Sequence, residues 1–155
     1  MRNPLWDYAS TIYALEGVAP ACLVLQDRFG VDVNLLLYAA WLAHLQQRLG
    51  ATHVEALDAF VSDWRDQVVR PLRTLRRQLR AVAGAGEFFE AVKALELRSE
   101  RVQLDRMYAF FRDSGELPPA PYSLKDNLLT VAACACPEQT DWEPAIGELA
   151  ALIPP

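Results

Sequence analysis

Residues 32–43 read Asp32-Val33-Asn34-Leu35-Leu36-Leu37-Tyr38-Ala39-Ala40-Trp41-Leu42-Ala43, and this run decides the fold class. From Leu35 onward it is apolar without interruption, so a helix built from it has no face fit for water and belongs inside a protein. Asp32 stands where an N-cap is needed, and Gly50 is placed to end the element. The run therefore predicts a helix over residues 33–49 at the centre of the domain. Asn34, a polar residue in the first turn of that helix, is expected to bond a neighbouring helix or loop. A polar contact to a ligand is the other reading.

Toward the N-terminus, Asn3-Pro4 offers an N-cap followed by a first-turn proline, and Leu5, Ala9, Ile12 and Glu16 recur at helical spacing. These predict a helix over 4–16, stopped by Gly17, and a second over 18–29, stopped by Gly30. Toward the C-terminus, Thr52-His53-Val54-Glu55 has capping-box spacing. Val54, Val61, Val68, Leu75 and Val82 then recur every seven residues, joined by Leu57 and Trp64 and, after a one-position shift, by Leu72 and Leu79. One long helix over 53–82 follows, kinked near Pro71, where the ring removes the bond to the Gln67 carbonyl. Two shorter helices broken before Pro71 are the alternative. Ala83-Gly84-Ala85-Gly86 reads as a turn and 87–112 as a further helix, so the two form an antiparallel hairpin. The proline-rich stretch 114–122 is expected to be an extended linker, and short helices are expected over 124–135 and 141–152. No strand pattern stands out. The expectation is an all-α, single-domain bundle of six or seven helices: a core over 1–113, the linker 114–122, and residues 123–155 packing on the core.

The chain has 155 residues, 52% hydrophobic and 23% charged, enough to bury a core without disulfides or metal. Its net charge of −5 divides unevenly, −4 over residues 1–63, +5 over 64–112 and −6 over 113–155. Acidic flanks repel phosphate at long range, which argues against nucleic acid as a partner. The apolar runs at 35–43 and 128–136 are far short of the roughly 18 residues of a membrane span, so a cytoplasmic protein without membrane contact is expected. Cys22, Cys134 and Cys136 are odd in number and lie in apolar surroundings, which suits reduced thiols.

Local chemistry is sparse. His44, on the apolar helix, reads as a satisfied core residue, and His53 as part of an exposed helix start. Cys134 and Cys136 point about 200° apart on a helix and cannot chelate one ion locally. No phosphate loop, nucleophile elbow or metalloprotease motif occurs, so the sequence names no catalytic residue, metal ligand or cofactor. One constellation does stand out. Arg70, Arg73, Arg77 and Arg80 fall within an arc of about 80°, with Arg76 beside them and Val68, Leu72, Leu75 and Leu79 opposite. Such forks bind carboxylates or phosphates bidentately. The stripe reads as a docking face for an anion or an acidic protein, or as a lattice tied to Glu96 and Glu100 on the next helix. The acidic tail, Asp113 to Glu148, is a further candidate to fold back on the stripe. Trp6, Tyr13, Trp41 and Trp64 raise a separate possibility, a pocket between helices for an apolar ligand.

Asn3-Pro4-Leu5-Trp6, Leu25-Gln26-Asp27, Asp32 to Leu37, Trp41 and Pro71-Leu72-Arg73 together resemble an uncharacterised family of small helical proteins from Gram-negative bacteria. The resemblance covers roughly residues 3–112. It implies a bacterial cytoplasmic protein and supplies no activity. On these grounds the expected role is a non-enzymatic adaptor or regulator that binds another protein through the Arg face. A small-molecule-binding or enzymatic bundle with a site between helices is the alternative. A homo-oligomer through the heptad seam remains open wherever that seam is not buried within the chain.

Overall fold

The computed structural model describes residues 2–155 and is all-α. Its elements are α1 (Pro4–Tyr13), α2 (Val18–Phe29), α3 (Val33–His44), α4 (Ala51–Trp64), a π turn (Arg65–Val69), α5 (Arg70–Leu79), α6 (Gly86–Ser114), α7 (Leu124–Ala135) and α8 (Glu143–Leu152). Because α4, the π turn and α5 run on without a break, these amount to seven continuous rods among the described residues. None of them is long and apolar enough to cross a membrane.

α3 is the centre, as its composition requires: every residue from Asn34 to Ala43 is buried. It is surrounded by α1, α2, α6 and α7. Asp32 caps it by accepting from the Asn34 backbone N–H at 2.8 Å, and Asn3 caps α1 by accepting from Trp6 at 3.1 Å. α3 ends at His44, five residues before the expected boundary. Gln46 there adopts φ 55°, and the Gln47 N–H reaches back to the Leu42 carbonyl. This left-handed turn closes the helix, as glycine does elsewhere. The chain over 45–50 is irregular, and the proline-rich segment seals it. The Arg48 N–H donates to the Pro118 carbonyl at 2.8 Å, and the Ala120 N–H to the Gln46 carbonyl at 2.9 Å.

The seam through Pro71 is helical throughout, resolving the choice left open by the proline. In place of a simple break, Arg65–Val69 form a π turn, two positions ahead of Pro71, in which the Arg70 N–H bonds the Arg65 carbonyl. A π turn holds one residue more than the α repeat. That extra residue is the physical origin of the one-position shift in the heptad pattern. Val54, Leu57 and Val61 are buried ahead of it. From the turn's last residue onward the inward positions pass to Val69, Leu72 and Leu79, while Leu75 and Val82 rotate outward. The helix begins at Ala51 with Gly50 as N-cap, so the expected capping box does not form.

α5 has no buried residue and packs chiefly on the first half of α6. The two make an arm that leaves the body beyond the π turn. α7 packs on α3 and α4, and α8 on α2 and α7. Asn127, 3% exposed, fastens α7 to the irregular segment: its Oδ1 accepts from the Leu49 N–H at 3.0 Å, and its Nδ2 donates to the Gln47 and Ala39 carbonyls. None of the tail carboxylates pairs with an arginine of α5 among the described residues, so the tail does not cover the stripe.

Candidate functional site

Body and arm enclose a groove of about 750 Å³. Its floor comes from α1 and the start of α3, with Ala9, Val33, Asn34 and Leu37. Trp6 and Tyr13 stand along one side, and α5 and α6 supply the opposite wall. Trp41 and Trp64 are elsewhere. Trp41 packs edge-on against Tyr108 and Phe111 in the core, while the Trp64 indole donates to the Ser99 carbonyl at 2.9 Å. Of the aromatic residues considered for a pocket, the fold thus brings Trp6 and Tyr13 to it.

The wall is charged but internally neutralised. Arg73 donates to Glu96 at 3.3 Å and to Glu100 at 3.1 Å, and Arg76 engages both oxygens of Glu96. Glu96 is 6% exposed, so its two guanidiniums supply the donors that a buried carboxylate must have. Glu100 lies against the same cluster. Burial lifts its carboxyl above the usual range, against the opposing pull of Arg73. Burial also raises the Tyr13 phenol, reinforced by Cys22 and Glu100. Arg76 is held more firmly protonated by its bond to Glu96. With Lys93 and Glu90 at the rim, the wall carries three cations and three carboxylates.

The rest of the stripe is engaged as well. Arg70 meets Asp66 at 2.9 Å and Arg77 meets Asp27 at 3.0 Å. Arg80 lies over the Phe89 ring and has no carboxylate partner among the described residues. The five arginines therefore do not form one free cationic face. Arg73 and Arg76 turn into the groove, Arg70 and Arg77 border a smaller cavity of about 340 Å³, and Arg80 sits near the arm's tip.

Asn34 faces the groove floor. It is 7% exposed, its backbone N–H serves the Asp32 cap, and its side-chain amide has no hydrogen-bond partner among the described residues. The bond to a neighbouring helix or loop expected for this residue does not form among the described residues. Beneath the arm, Asp32 does more than cap. Its second oxygen accepts from Arg65 at 3.2 Å and from Gln103 at 2.7 Å. Burial opposes the Arg65 charge, but Asp58 and Asp32 more than offset it and its pKa rises. The heptad pattern did not mark Arg65 or Gln103, since each is a polar residue inside an otherwise ordinary helix. Only convergence from three elements joins them.

The histidines exchange the environments expected for them. His44 is exposed on the last turn of α3 and stacks on Tyr8 at 5.2 Å. His53 is half-buried, bonded to the Tyr38 hydroxyl at 2.7 Å and stacked on its ring. The helix ends sooner than expected, leaving His44 at the surface, and α4 packs its first turn over Tyr38. Burial lowers the His53 pKa. Cys22 is buried and its thiol is pushed up to about 12. No group of three or more metal-ligating side chains gathers among the described residues.

The profile of a family described as a protein of unknown function (DUF2390) matches residues 4–107, which takes in α1 through most of α6 and hence the whole groove. No curated protein and no solved structure matches the chain.

Proposed function

The chain belongs to the DUF2390 family, which assigns no activity, and from the geometry of the groove we propose that the protein is a binding module for a small amphipathic molecule. The observation that carries this is Asn34, a residue 7% exposed whose side-chain amide has no hydrogen-bond partner among the described residues and opens onto the floor of a cavity that is otherwise mainly apolar. A ligand group that both donates and accepts hydrogen bonds would pair with this amide. The groove's volume lies within the range of small-molecule sites, which combine apolar walls with a few convergent polar groups. The ligand's body lies along Trp6, Tyr13 and Leu37. Its head is neutral or zwitterionic, because the wall's charges cancel and a singly charged head would have to break the Glu96 or Glu100 pairs.

An acidic protein on the arginine stripe remains the competing reading. It would have to displace Asp66, Glu96, Glu100 and Asp27 from guanidiniums they already hold. The groove needs no such displacement.

The test uses matched compounds with one aryl-alkyl body and an amide, carboxylate or amine head, read by thermal shift and by the side-chain amide and indole signals in a two-dimensional nitrogen NMR spectrum. The amide compound is expected to raise Tm and to move the Asn34 and Trp6 signals, and Ala94→Trp, which fills the groove from α6, to abolish both effects. Failure of every head group, or equal binding to the filled variant, would overturn the proposal.

A further inference from the structure

The side of the arm facing away from the groove carries an unpartnered apolar face, built from both helices. On α5 and its C-terminal turn it consists of Leu75 and Val82, and on α6 of Phe88, Leu95 and Val102. Exposure runs from 36% at Val102 to 59% at Phe88. At 100° per residue, Phe88, Leu95 and Val102 lie roughly opposite the α6 residues Lys93, Leu97, Glu100 and Leu104 that line the groove. Leu75 and Val82 likewise lie well away from Arg73 and Arg76. These five side chains leave on the order of 400 Å² of apolar surface in water, and monomers rarely expose larger contiguous patches without a use for them.

The pattern of the face says what fits it. Arg76 pairs with Glu96 and Arg80 lies over Phe89, which sets the hairpin's register. In that register Leu75 stands level with Leu95, and Val82 with Phe88. One turn of the pattern nearer the body, Val68 stands level with Val102. Both helices thus present apolar residues at the same heights, about 10.5 Å apart. Rotation by 180° about an axis running along such a face brings each layer onto its own copy. Two faces supply on the order of 800 Å² before the stems of Gln78 and Arg98 at their edges are counted, against the roughly 1,200–2,000 Å² that specific stable interfaces bury. The edges add no cluster of cations that would suit a lipid surface. The π turn created the face: without its extra residue, the row begun by Val54 and Val61 would have stayed turned inward.

We propose that this face is the homodimer interface, on which the arm of a second copy of the chain packs to complete a four-helix bundle. The groove lies on the opposite side, so the proposal is independent of the ligand reading above.

Sedimentation velocity on the full chain between about 1 and 200 μM tests it, with Leu95→Glu, Phe88→Glu and Leu97→Glu beside the wild type and far-ultraviolet circular dichroism confirming that each is folded. Leu97 is as exposed as the others, at 57%, but faces the groove. The wild type is expected to dimerise in this range. Leu95→Glu and Phe88→Glu should each raise the dimer's Kd at least tenfold, and Leu97→Glu should leave it within twofold. A wild type that stays monomeric to 200 μM overturns the proposal, whatever other partner the face then serves. A dimer indifferent to Leu95→Glu and Phe88→Glu, or weakened as much by Leu97→Glu, overturns it equally.

Discussion

Replacing Asn127 with leucine tests how the C-terminal helices are joined to the body. Asn127 lies in α7, 3% exposed, and makes three hydrogen bonds to backbone groups of α3 and the segment that follows it. Leucine has the same branched skeleton and is somewhat larger, so no cavity forms and the loss falls chiefly on those bonds. The Leu49 N–H is buried and has no other acceptor among the described residues, which costs about 1–2 kcal/mol, and the Gln47 carbonyl loses its donor for about 1 kcal/mol more. The Ala39 carbonyl also sits within α3, so its share is a few tenths. The expected loss is about 3 kcal/mol. For a chain of this size that corresponds to a fall in Tm of roughly 6–12 °C. Urea unfolding followed by circular dichroism measures it directly, and an unchanged m-value would place the effect in the native state. A loss below about 1 kcal/mol would refute the reasoning, because it would mean that water or local rearrangement serves these groups as well as Asn127 does.

Asn34→Leu should behave oppositely to Asn127→Leu, changing stability by less than about 0.5 kcal/mol or raising it, since no protein bond is lost; a loss of 2 kcal/mol on denaturant unfolding would show that Asn34 has a structural partner. Glu96→Gln should cost about 2 kcal/mol, because Arg73 and Arg76 are only 20% and 17% exposed and lose their shared carboxylate. A double-mutant cycle with Arg76→Met should recover part of that cost, and simple additivity would contradict the pairing. Burial sets the His53 pKa below 6.5, so the unfolded chain takes up the proton first, and stability should fall as pH drops from about 6.5 toward the folded value. His53→Gln should flatten that slope in denaturant midpoints taken across the window, and an unchanged slope would assign it to other groups. Glu100 acts in the reverse sense: its raised carboxyl makes the folded state lose stability as pH rises from about 4.5 through its folded pKa.

Much of the architecture follows from spacing alone. The run from Leu35 to Ala43 leaves a helix no exposed face, so its central burial was determined by composition. Asn3 and Asp32 announced their helix starts because each supplies an acceptor that the first turn lacks. The step from Trp64 to Leu72 in the seam recorded the π turn's extra residue, although periodicity could show only that the register shifted. Spacing also put Arg73 and Arg76 within reach of Glu96 and Glu100, provided the two helices packed as a hairpin. Tertiary structure decided which side chains meet and which face water. His44 and His53 exchanged environments because burial depends on the neighbour that arrives, Tyr8 at one site and α4 packed over Tyr38 at the other. α3 stopped at His44 because the irregular chain beyond it finds hydrogen bonds in Asn127 and in the 118–120 segment, both distant in sequence. The groove and the outward face of the arm arise in the same way. Periodicity is local, set by 3.6 residues to the turn, whereas a cavity or an exposed face is defined by what packs, or fails to pack, against a helix from elsewhere in the chain.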